Sequence, residues 1–341
     1  MGLPLTIDAL EAWLSEPPPS VVDAMRAMSG DLLLLGAGGK MGPTLARMAR
    51  RAFDAAGRSG RVIAASRFSD DAARRRLEAC GVETHAADLL VERDLERIPD
   101  CANVIAMIGF KFGASQSPDY AWAMNCHLPA LVCRRFRDSR IVAFSTGNVY
   151  GPVPTDGSGS REDDVLNPVG EYAMTCVGRE RIYQYMSRTH GMPIALLRLN
   201  YATEVRYGVL VDIARRVWDG TPVDVRCGRV NVIWLPDANA MTLLAFAHAA
   251  TPARIINVAG LDILSVRDVA RRFAERWGKE PVFSGVEQDT ALLNDGRSGA
   301  ITLDVPRASA DRMIEWTAEW IESGGPLWDK PTHFEVTDGR F

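Results

Sequence analysis

Hydrophobic and polar positions follow two rhythms along this chain. Short, mostly apolar runs recur at 31–35, 61–66, 82–86, 102–108, 140–145, 193–199 and 254–258, the lengths of buried strands. Between them lie longer stretches with helical spacing, at 40–57, 69–80, 91–97, 117–137, 169–190, 206–219, 236–250, 264–277 and 309–322. Strand and helix in alternation predict an α/β fold, a Rossmann-type doubly wound parallel sheet covered on both faces. Residues 1–30 precede this rhythm. They read as two short helices, Ile7 to Leu14 and Val21 to Met28, split by Pro17-Pro18-Pro19 and expected to pack on the outside of the domain. A regulatory or dimer arm is the alternative. The Gly151–Asp164 run reads as a mobile loop placed to cover a site.

The first strand runs straight into a glycine-rich turn, Gly36-Ala37-Gly38-Gly39-Lys40-Met41-Gly42, and a helix follows at once. Glycines let backbone approach a pyrophosphate closely, and the helix N-terminus offers open N–H groups and partial positive charge. The spacing is Gly36-x-x-Gly39-x-x-Gly42; as G-x-G-x-x-G it fails at Met41. The second strand ends in Ser66-Arg67 instead of the acid that would bind a ribose 2′-hydroxyl, which favours NADP over NAD, with Lys40 as a second positive charge. Asp88, after the third strand, suits an adenine amine or a helix cap equally. These motifs divide the chain into the N-terminal extension (1–30), a dinucleotide-binding domain (31–200) and a mixed region (201–323). That region mixes stretches that break the rhythm, at 200–235 and 281–306, with returning sheet elements. An aromatic tail (324–341) is expected to dock on the body or on a partner subunit.

Composition narrows the function classes. The 341 residues are 47% hydrophobic with a net charge of −4, which gives ample core and no basic footprint for nucleic acid. No apolar run approaches the ~20 residues of a membrane span. The six cysteines are scattered without a C-x-x-C pair, so neither a metal site nor a disulfide framework is indicated and a cytoplasmic location is expected.

The strand at 140–145 leads into Phe144-Ser145-Thr146, with hydroxyls at the edge of the sheet where ligands sit. Further along stand Val149-Tyr150-Gly151, Asn167-Pro168 and Tyr172; Asn125 lies in the helix at 117–137. With the glycine turn, these motifs resemble the extended short-chain dehydrogenases, the NAD(P)-dependent epimerase/dehydratase family, over roughly residues 31–280. The resemblance implies Tyr172 as acid/base, Thr146 as its hydroxyl partner with Ser145 beside it, and Asn125 as a helix feature ordering the cofactor site. It implies that inserts after the sixth strand form a smaller C-terminal substrate-binding lobe, with Asn200, Tyr201, Glu204 and Arg206 at the substrate and Asn231 and Trp234 as further lining. It also implies a small-molecule substrate and a homodimer paired through 117–137 and 169–190.

The chain departs from the family's Tyr-x-x-x-Lys: Cys176 stands where a lysine would hold the nicotinamide ribose. Positions i and i+4 share a helical face about 6 Å apart along the axis, so a lysine there lowers the pKa of the tyrosine. Cysteine supplies neither charge nor reach. Three accounts stay open: a substitute cation, for which Lys111 in Gly109-Phe110-Lys111-Phe112-Gly113 is placed; Tyr172 as a neutral donor; or a dinucleotide-binding sensor or scaffold without redox chemistry. Arg179, seven residues after Tyr172 on roughly the same face, is expected as a helix-surface ion-pair partner, with contact to a substrate carboxylate or phosphate as the alternative.

Overall fold

The computed structural model describes residues 3–4, 6–304 and 308–340. Seven parallel strands form the central sheet: β1 (Leu32–Leu35), β2 (Val62–Ser66), β3 (Glu83–Ala86), β4 (Asn103–Ala106), β5 (Arg140–Thr146), β6 (Ile194–Leu199) and β7 (Arg254–Val258). Their spatial order is β7-β6-β5-β4-β1-β2-β3, so the direction of winding reverses between β1 and β4, where open α/β sheets bind ligands. Each strand expected from the sequence is present, in the expected parallel sheet.

The sheet is buried on both faces because its strands are apolar at successive positions. Leu32 and Leu34 enter one core, beneath α2 (Pro19–Ala27), α3 (Gly42–Ala55) and α10 (Leu235–Leu244). Leu33 and Leu35 point the other way, into a core shared with α7 (Leu128–Arg135) and α8 (Gly170–His190). The short helices α4 (Asp71–Ala79) and α5 (Glu92–Glu96) follow β2 and β3. A third core lies in the lobe, built by α9 (Val209–Asp219), α11 (Val266–Trp277) and α13 (Ala310–Glu322), while α12 (Arg297–Thr302) packs on β7.

The N-terminal helices pack on the outside of the fold, each with one buried face: Leu10 and Leu14 of α1 (Ile7–Leu14) enter the lobe core and Val21 and Met25 of α2 a sheet core, while Asp8, Asp23 and Arg26 stay exposed. One expectation needs correction: Gly151–Asp164 is not a free loop. Val153–Pro154 pairs antiparallel with Thr290–Ala291, and Asn257 and Arg198 donate to the carbonyls of Ser160 and Glu162. The backbone polar groups of the loop are thus satisfied from three directions.

Candidate active site

The glycine turn takes its shape from β1. Gly36 has φ +86°, a conformation that disfavours other residues, and its N–H and that of Ala37 both donate to Ala65 of β2. Gly42 opens α3 against the turn: a Cβ there would lie 2.1 Å from the Ala37 carbonyl oxygen. At Met41 the helix has no side-chain cap, which leaves its first N–H groups to a ligand. A Cβ on Gly38 would meet Ser66 Oγ at 2.6 Å, whereas one on Gly39 would touch only the Gly36 oxygen, at 3.6 Å. The turn is therefore a backbone cradle of the kind a pyrophosphate requires, and its residues fit a dinucleotide.

Two cavities flank the cradle. One, of about 310 Å³, is walled by Ser66, the exposed Arg67, Asp88, Leu89 and Tyr120. Asp88 Oδ1 accepts from Leu90 N–H in a local turn, and the helix that follows is capped at Val91 with no side-chain bond, so Asp88 stands in the wall and is not the helix cap. The other, of about 370 Å³, contains Lys40, Met41, Lys111, Thr146, Tyr172 and Arg179, and extends to Asn200, Tyr201 and Tyr207.

In this second cavity, β5 delivers Thr146 and the first turns of α8 deliver Tyr172. Thr146 Oγ1 accepts from both the backbone and the side-chain nitrogen of Asn148, at 3.2 and 2.9 Å. Its hydroxyl is also bonded to the Tyr172 phenol, which favours the phenolate. Burial dominates nonetheless and pushes the phenol well above its ordinary value; the Cys176 thiol adds to the rise, while Arg179 and Thr146 oppose it. Lys111 approaches from the opposite wall, its ammonium 5.9 Å from the Tyr172 ring centre, and burial draws its pKa down to about 8.

Arg179 departs from expectation. It is no surface residue: it is 4% exposed, its Nη1 donates to the Phe144 carbonyl at 3.1 Å and its Nη2 to Asn125 Oδ1. A Cβ on Gly109 would stand 2.9 Å from that same Nη2, so the glycine gives the guanidinium its room. Among the described residues Arg179 Nε is buried without a hydrogen-bond partner. Its position two helical turns past Tyr172 was visible in the sequence; its burial was not.

Asn125 lies in a π-helical turn, Ala123–His127, between α6 (Pro118–Trp122) and α7. It clasps the loop after β4, accepting from Phe110 N–H and donating to Phe110 O, both at 3.0 Å, and donates to Thr175 at 2.9 Å. It therefore orders the segment that carries Lys111.

Other candidates are placed differently. Ser145, expected as a hydroxyl at the ligand edge, does line the cavity, but its hydroxyl donates to buried Glu180 at 2.6 Å, and Arg198 binds both Glu180 oxygens. Cys176, expected among the cofactor contacts, is fully buried behind Tyr172 against Val149 and Tyr150. Burial pushes its thiol up, which removes it as a nucleophile. Glu204 and Arg206, expected at the substrate, pair with each other at 2.8 Å and do not line the cavity. Asn231 bonds to Gly260 and Asn294, and Trp234 packs on Trp13 and Trp316, so both are structural. Asn148, Tyr207 and Thr332 join the cavity wall with no sequence signal to announce them.

The model of the NAD dependent epimerase/dehydratase family matches residues 32–203. Among solved structures, the UDP-glucuronic acid 4-epimerase of Bacillus cereus, in complex with UDP-glucuronic acid and NAD, is 16% identical. Its TM-score is 0.71, over 86% of this chain and 99% of its own. The dTDP-glucose 4,6-dehydratase of Bacillus anthracis, with NAD, is 13% identical with TM-score 0.72, covering 86% and 97%. The UDP-glucose 4-epimerase of Thermus thermophilus, with NAD, is 19% identical with TM-score 0.70, covering 86% and 99%. No curated protein matches the chain by sequence.

Proposed function

The chain belongs to the NAD dependent epimerase/dehydratase family, and from that premise we propose that it oxidises and reduces, or epimerises, a hydroxyl-bearing carbon of a sugar, sugar acid or sugar nucleotide. Tyr172 is the acid/base. The observation that carries this reading is the Tyr172 phenol, hydrogen-bonded to Thr146 in the same cavity as Lys111, Arg179 and the glycine turn. The residues fit a dinucleotide held at Gly36, Gly38, Gly39 and Gly42, with Ser66 and Arg67 toward its adenosine end. When bound, it supplies the acceptor and donor of hydride.

The rest of the chemistry belongs to the chain. In the oxidising direction Tyr172, as phenolate, takes the proton of the substrate hydroxyl while the hydrogen on the same carbon leaves as hydride. The C–O bond becomes a carbonyl. In reverse the phenol returns its proton to the carbonyl oxygen as hydride arrives; arrival on the opposite face inverts the centre. Thr146 steadies the oxygen, and Lys111 and Arg179 supply the positive charge that Cys176 cannot. Retention of this set in an open cavity favours an enzyme over a sensor.

NADP is our preferred cofactor on the strength of Ser66 and Arg67, although the solved structures named above hold NAD. Exposed Trp122 on α6 and Met174 and Tyr185 on α8 support pairing of two copies as a homodimer. Fluorescence titration with NAD and NADP, then turnover on a polyol and sugar-acid panel, tests the proposal. Tyr172→Phe abolishes turnover and leaves dinucleotide affinity within about twofold. Unchanged turnover rejects the role.

A further inference from the structure

Residues 328–340 cross the open side of this site. Trp328 stacks on Tyr207 with ring centres 5.9 Å apart, and its backbone N–H donates to the Arg206 carbonyl. Thr332 donates both its backbone N–H, at 2.8 Å, and its hydroxyl, at 2.6 Å, to Asp212 of α9, and it forms part of the cavity wall. His333 packs on Phe112 at 5.7 Å. Gly339 meets the start of α8 so closely that a Cβ would stand 2.2 Å from the Val169 oxygen. The strap thus joins the lobe, the loop bearing Lys111 and the helix bearing Tyr172.

The space beneath is about 370 Å³, near the low end of the roughly 300–1,000 Å³ typical of small-molecule sites. Gly36, Gly39, Met107 and Gly109 also line this cavity, so a dinucleotide seated on the glycine turn would leave less of it for a substrate. Its charge is positive. Lys40, 3.5 Å over the Tyr207 ring, shares the cavity with Lys111. Burial, then repulsion from Lys330 and Lys111, draws Lys40 down to about 8. An anion among these ammonium groups relieves that repulsion. Among the described residues no carboxylate lines the cavity; from outside it Asp212, which accepts from Thr332, partly offsets the repulsion at Lys40, and Glu335 of the strap acts on Lys111 in the same sense. On the lobe, Arg226 and Arg297 pair with Asp224 and Asp295 outside the cavity, and no described lobe arginine lines it.

We propose that the substrate is a small hydroxy compound with one anionic group, a carboxylate or a monophosphate, held by Lys111 and Lys40 beneath the 328–340 strap, and not a nucleoside diphosphate sugar. This rests on the dinucleotide-dependent reading above.

The test is tryptophan-fluorescence titration of the full-length protein, saturated with its dinucleotide, using glucose, glucuronate, glucose 1-phosphate and UDP-glucuronate. Glucuronate or glucose 1-phosphate binds at least about tenfold more tightly than glucose or UDP-glucuronate. The stronger of the two anions identifies the group carried. Lys111→Met loses the preference for the anion over glucose, and Lys111→Arg keeps it. Asp212→Ala, which releases Thr332, raises the affinity for UDP-glucuronate. Equal binding of glucose, tighter binding of UDP-glucuronate, or no response to either anion overturns the proposal. Failure of both NAD and NADP to bind in the first titration overturns instead the reading beneath it.

Discussion

At position 176 a thiol replaces the ammonium expected one helical turn from the phenol, and the fold brings charge from elsewhere. Lys111 arrives on the loop after β4 and Arg179 from one turn further along α8. The two differ in how they respond to pH. Arg179 stays charged, its pKa raised further by Cys176 and Tyr172 against the opposing effect of burial. Lys111, drawn down to about 8 by burial, loses its proton within the working range. Its charge is present below about 8 and absent above, so activity that depends on it falls as pH climbs through that value. Lys111→Met removes that limb and shifts the remaining activity to more alkaline pH, at a rate about tenfold lower near pH 7. A pH–rate profile superimposable on the parent's would reject the role. Stability follows the opposite sign. The unfolded chain holds this proton to about 10.4, so the lysine weakens folding below about pH 8. That penalty fades as pH rises through the window between the two values.

At the scale of elements, the carboxyl ends of β5, β6 and β7 are tied to α8 by one buried network. Arg198 on β6 binds Glu180 of α8 through two bonds of 2.9 and 2.7 Å, and also reaches Tyr150, whose hydroxyl donates to Asn257 of β7 at 2.8 Å. Ser145 of β5 completes it through Glu180. Because Tyr172 rides on the same helix, this network also fixes the phenol relative to the sheet. Glu180→Gln leaves the Arg198 charge without its counterion and destabilises the fold by about 3–5 kcal/mol, measured by urea unfolding. The double replacement Glu180→Met with Arg198→Met recovers most of that loss, because an apolar pair leaves no buried charge behind. A single variant within about 0.5 kcal/mol of the parent would show that the pair carries no stability. The strands themselves were legible from apolar runs of suitable length, and the helices from their spacing. Helix α12 and the two-residue strands of the lobe were not, because so few residues carry no period.

Across the whole molecule, α1 and the 328–340 strap join parts that the sheet alone would leave separate. Leu10 of α1 is fully buried among lobe residues from α9, α11 and α13. Leu10→Ala therefore destabilises the protein by about 2–5 kcal/mol in chemical unfolding; a detachable arm would show almost no change.

Local pattern was enough to determine the architecture and the glycine turn, and to single out the phenol proposed as acid/base. Each rests on residues close together in the chain: a strand's apolar run, a turn's glycines, a helix's first turns. Folding alone decided which polar groups face the cavity and which are taken by one another. Ser145 turned to Glu180, Glu204 to Arg206, and Arg179 inward to Asn125, while Thr332 arrived from the far end of the chain. A buried polar group must find a partner, and that partner is often dozens of residues away. No window along the sequence contains both.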